Sequence, residues 1–133
     1  MPELHLFIHY RHPSPASHVS GSLTDDLSQP IPVDFDEVMA RFNRLPGGYC
    51  EPDGAWGWNT ADQQTRTGGT MQAFGERVMC VETWGQIAPR DWWPLLELFG
   101  LNAETAIVQL VEAGRFLSAE EFASGLGIGR AHV

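Results

Sequence analysis

Three histidines near the amino end, His5, His9 and His12, are the first side chains here that could do chemistry, because neutral imidazole is a common metal ligand. The run from Leu4 to Tyr10 alternates and reads as a strand, with Leu4, Leu6, Ile8 and Tyr10 on one face and His5, Phe7 and His9 on the other. His5 and His9 then stand about 13 Å apart, at about 3.3 Å per residue. A zinc ion holds its donors at about 2.0–2.1 Å, so a shared site would need a bulge or a further ligand such as His18. Solvent-facing strand histidines are the expectation, and no metal site is assigned. Cys50 and Cys80 form no C-x-x-C pair and have no histidine beside them in sequence, which points to inert, reduced thiols.

Aromatic side chains are the larger surplus. Trp92 and Trp93 are adjacent on one helical turn and cannot both turn inward easily. If they and Trp56 and Trp58 reach the surface, they make a docking face of the kind tryptophan favours. If they turn inward, they make a large aromatic core. Asp25, Asp26, Asp34, Asp36 and Glu37 gather around one loop and helix start. The helix dipole explains part of that, and a basic partner would explain the rest. The run Gly125-Leu126-Gly127-Ile128-Gly129 lacks dinucleotide-fingerprint spacing and follows a helix.

Positioning these groups falls to a short series of elements. Residues 13–32 are rich in Pro, Ser and Gly and read as an irregular loop or lid. Asp34 and Glu37 predict a capping box at the head of a helix with Phe35, Val38, Met39, Phe42 and Leu45 on one stripe, stopped at Pro46-Gly47-Gly48. Glu51-Pro52-Asp53-Gly54 is a turn, and Ala55 to Asn59 a short strand. Residues 60 to 69 read as loop. Thr70–Phe74 and Arg77–Trp84 are strands joined by a Gly75-Glu76 turn of type II′. Met79 and Val81 are expected on one face of the latter strand, and Val78, Cys80, Glu82 and Trp84 on the other, which suggests a central strand covered twice. Asp91 caps a helix that ends at Gly100; Thr105–Val111 reads as a strand, and Phe116-Leu117 as its short return. Ser118 with Glu121 predicts a second capping box, on a helix ending near Gly125 or Gly127.

The third strand of the central group carries Glu82-Thr83-Trp84, and the strand before it begins Gly68-Gly69-Thr70. With the order helix, three strands, helix, strand over residues 34 to 111, this resembles the restriction-endonuclease-like, or PD-(D/E)xK, nuclease superfamily. In that family an acidic residue near the second core strand and an E-x-K on the third bind Mg²⁺ and position the attacking water. The resemblance matches Glu82 to the E, puts Trp84 where the lysine belongs, and leaves Asp53 as the nearest substitute for the missing acid. It implies a degenerate site, because a hard divalent ion needs several oxygen ligands.

A chain of 133 residues with 43% hydrophobic and 19% charged residues suits one globular domain, residues 1–133, with a loose tail at 128–133. Eight basic against seventeen acidic residues give a net charge of -9, which repels phosphate backbones and attracts basic protein surfaces. There is no apolar run long enough to span a bilayer and no signal-peptide pattern at the start. The expectation is a cytoplasmic α/β protein of mixed α+β type, a mixed sheet flanked by helices in the order β-α-β-β-β-α-β-(β)-α. Its expected role is a non-catalytic, acidic protein-interaction or regulatory module without cofactor, of the immunity- or inhibitor-type balance seen in small bacterial proteins. The alternatives are a Mg²⁺-dependent nuclease-like enzyme rebuilt around Glu82 and Asp53, and a DNA-binding fragment at the C-terminus. The latter is weakened by Glu120 and Glu121 standing against Arg130 alone.

Overall fold

Alternation in Leu4–Tyr10 becomes strand β1, with Leu6, Ile8 and Tyr10 buried and His5, Phe7 and His9 half-buried on the opposite side. The computed structural model describes residues 3–13, 27 and 29–125. Most of the irregular stretch at 13–32, including His18, Asp25 and Asp26, lies outside the described residues, as does everything after Gly125.

Among the described residues six further strands follow: β2 Gly48–Cys50, β3 Ala55–Asn59, β4 Arg66–Phe74, β5 Arg77–Gln86, β6 Ala106–Leu110 and β7 Arg115–Ser118. Three helices accompany them: α1 Phe35–Arg44, α2 Trp92–Leu98 and α3 Ala119–Gly125. The strands form one sheet in the order β2-β3-β4-β5-β1-β6-β7, and every neighbouring pair is antiparallel. The architecture is therefore α+β, but the sheet is not mixed in direction, and β2 adds a strand to the expected order. Gly48 and Tyr49 follow the helix stop directly, and their pairing to Trp58 and Gly57 turns a stop signal into an edge strand. Residues 66–69, read as loop, are the first half of β4 because β3 and β5 pair with them on both sides.

All three helices pack on one face. Phe42 of α1 meets Trp56 at 5.2 Å and Phe99 at 5.3 Å between ring centroids, and Trp56 meets Phe99 at 5.1 Å. Trp92 of α2 meets Phe122 of α3 at 4.6 Å. Such aromatic contacts, with Leu6, Ile8, Val81 and Val108 from the sheet, form the core. β5 lies in the middle of the sheet, as expected, but among the described residues helices cover it on one face only. The residue parity along it changes too: Gln72 pairs with Cys80 and Ala73 with Val78, so Met79 is a bulge. Val78 thereby joins Val81 on the core side, each 0% exposed, while Cys80, Glu82 and Trp84 face away.

The helix ends follow local chemistry unevenly. Ser118 Oγ accepts from Glu121 N–H at 3.1 Å and Glu121 Oε1 accepts from Ser118 N–H at 2.9 Å, the reciprocal box expected at α3. At α1 the box does not form. Asp34 is the N-cap without a side-chain bond, and Glu37 instead pairs with Arg41 at 3.0 Å one turn on. Asp91 precedes α2, but a 3₁₀ turn over Pro89–Asp91 leads into it, and the Asp91 carboxylate faces the sheet to accept a hydrogen bond from Thr65. The turn at Gly75 has φ +63 with Phe74 opposite Arg77, the positive φ that favours glycine in a two-residue hairpin. Among the described residues no helix is long and apolar enough to cross a membrane.

Candidate functional site

The face of the sheet away from the helices is where unspent side chains collect. The ladder registers align Tyr49 with Gly57, Gly57 with Gly68, Gly68 with Trp84 and Trp84 with His5, a row crossing five strands. A Cβ on Gly57 would lie 2.4 Å from the Tyr49 ring, so that ring lies down on the glycine and needs it. At Gly68 the three atoms nearest such a Cβ are backbone atoms of Trp56 and Gly57, so the floor between Tyr49 and Trp84 is flat main chain.

Every large apolar side chain that is exposed among the described residues projects from this face: Tyr49 at 47%, Phe74 at 81% and Trp84 at 45%. Phe74 is on the same side as Gly68, Thr70 and Gln72 by strand alternation, at the hairpin end of β4. Along β1, His5, Phe7 and His9 continue the aromatic row at ring spacings of 6.3 Å, and His9 stands 6.1 Å from Phe116 on β7. The face closes towards β6, where Ile107 is buried.

Polar groups on the face are paired locally. His5 Nε2 lies 2.9 Å from Glu82 Oε2, and the His5 ring meets Trp84 edge-on at 6.1 Å. His9 Nε2 lies 2.8 Å from the side-chain oxygen of Gln109. The two histidines thus have separate partners, and His12 is exposed beyond the strand. Among the described residues no three His, Cys, Asp or Glu side chains are grouped so as to hold a metal ion. Beside His5 a shallow depression of about 400 Å³ is lined by Glu3, Leu4, His5, Glu82, Trp84 and Glu112.

The remaining sequence candidates are scattered. Asp53 Oδ1 accepts from the amide of Ala55 at 3.0 Å, as a turn aspartate does. Ala55 pairs with Thr70 and Thr70 with Glu82, so two strand spacings, about 10 Å, already separate Ala55 from Glu82, with Asp53 beyond. The structure does not bring Glu82 and Asp53 together. Of the four tryptophans proposed as a surface, Trp56, Trp58 and Trp92 are inside, at 1%, 6% and 0% exposure, and Trp93 is half-buried against the core. Their helix- and strand-facing positions put them opposite the sheet face that carries Trp84. Trp84, Tyr49 and Phe74 are the aromatics missed as surface residues. The signal lay in β1, whose second face is two histidines to one phenylalanine and so could not belong to an apolar core.

No family model matches this chain, and neither a curated protein nor a solved structure matches it.

Both cysteines are free. Burial, and then the charges of Asp53 and Glu51, push the Cys50 thiol up to about 11, and burial with Glu82 raises that of Cys80. A raised thiol pKa means a protonated, poorly nucleophilic sulfur near neutrality. Native protein should therefore react slowly with an aromatic disulfide reagent at pH 8, and denatured protein fast. The folded state holds the Cys50 proton more tightly than the unfolded chain. Its contribution is thus complete below the ordinary thiol value of 9.0 and is lost as pH rises through about 11. Equal thiol reactivity in the native and denatured states would refute this placement of Cys50.

Proposed function

We propose that the protein is a non-catalytic, acidic interaction module that docks a partner protein on its helix-free sheet face. One observation carries this reading: Tyr49, Phe74 and Trp84, the exposed large apolar side chains among the described residues, all stand on that face, and the helices cover the other. Leaving a tryptophan about half exposed forgoes burial that the core could have used, and exposed aromatics gathered on one face of a sheet mark an interaction surface. A net charge of -9 favours a protein over nucleic acid as the occupant. Glu82 and Asp53 are each engaged in a local pair or turn, which gives the nuclease-like alternative no assembled site to build on.

The test uses substitutions that spare the core. Trp84→Ala combined with Phe74→Ala should change unfolding free energy by no more than about 1–2 kcal/mol, because Phe74 is largely in water and Trp84 nearly half exposed. In affinity capture from native extract, the partner held by the wild type should be lost by this variant. Equal recovery, with the near-ultraviolet circular dichroism of both proteins native, would remove the reading.

A further inference from the structure

We propose that the depression beside Trp84 receives an arginine side chain presented by a basic segment of the partner protein. This rests on the docking reading above and adds the chemistry of the occupant. The depression offers one indole, 45% exposed, and a rim of Glu3, Glu82 and Glu112, with no basic residue but His5 among its lining. Among the described residues Glu3 and Glu112 make no ion pair, and Glu82 makes one, with His5.

The chain pairs none of its described arginines with this rim. It has eight basic side chains, all arginine. Arg41 and Arg44 are drawn to Glu37 and Arg90 to Asp62, all away from the depression, and Arg66 hydrogen-bonds Gln86 at 3.2 Å. An incoming guanidinium suits both halves of the site: its plane stacks on the indole and its N–H fork meets carboxylates. A second copy of this chain fits poorly, since it would bring the same carboxylates against these at a net charge of -9.

The experiment titrates the full chain with a short arginine-containing peptide and with the same peptide carrying citrulline, which keeps the shape and removes the charge. Amide and indole N–H resonances are followed by NMR. The arginine peptide should shift the Trp84 indole and the amides of His5, Glu82 and Glu112, more weakly as salt is raised. Trp84→Ala should weaken binding about 3- to 30-fold. Glu82→Gln and Glu112→Gln should each weaken it about two- to fivefold. Equal binding of the citrulline peptide, or shifts confined to residues elsewhere, would overturn the proposal. If a partner still cross-links to position 84 while the arginine peptide leaves these resonances unmoved, the arginine proposal falls and the docking reading stands. If neither occurs, both fall.

Discussion

Replacing Trp92 by alanine is expected to cost about 3–5 kcal/mol of unfolding free energy, the range for deleting a large aromatic from a packed core. Trp92 is 0% exposed, its ring packs at a tilt against Phe122, and its Nε1 donates to the carbonyl of Ala119 at 3.4 Å. The indole therefore joins α2 to α3, and its loss leaves a cavity between those two helices. For a domain of this size the melting temperature should fall by roughly ten degrees or more. Trp93→Ala, on the half-buried neighbour, should cost much less. Urea unfolding of the two variants checks this, and equal midpoints would show that Trp92 does not hold the core. The same geometry makes a Trp92 variant unsuitable for probing a docking surface, since it would report unfolding.

Thr65→Val is the second large effect expected, at about 2–4 kcal/mol, from a substitution that keeps the side chain's volume. Thr65 is 0% exposed; its Oγ1 accepts from the amide of Ala88 at 2.8 Å and donates to Asp91 Oδ2 at 2.5 Å. One hydroxyl thus ties the end of the 60s loop to the turn that launches α2. Valine would leave a buried amide and a mostly buried carboxylate without that partner, and orphaned groups cost more than a made bond gains. Thr65→Ser keeps the hydroxyl and should recover most of the loss. A valine variant as stable as the serine one would mean the relay contributes little.

These two sites also show what the sequence could and could not convey. Local chemistry was legible where it acts over a few residues: the β1 alternation, the Ser118–Glu121 box, the Gly75-Glu76 turn and the Glu51–Gly54 turn all stand as read. Partners distant along the chain decided the rest. Gly48–Cys50 and Arg66–Gly69 have poor strand composition and become strands because β3 and β5 pair with them. Strand direction is not written in element order, so a wholly antiparallel sheet was not foreseen. One bulge at Met79 reversed the side on which Val78 lies. Likewise, residue type does not say which of five tryptophans is exposed; Asp34 had the right position for a capping box, but Glu37 found Arg41 one turn on and Arg44 two turns on.

The central claim is that the helix-free face is where a partner docks, and site-specific photo-cross-linking tests it most directly. A photoreactive aromatic residue placed at Trp84, and separately at Tyr49 and Phe74, occupies positions already aromatic and exposed. The control position is Glu120, exposed on α3, among the helices that pack on the opposite face. Irradiated in native cells, the probes at 84, 49 and 74 should yield the same protein adduct, and the probe at 120 none. An adduct at 120 with silence at all three sheet positions would contradict the account.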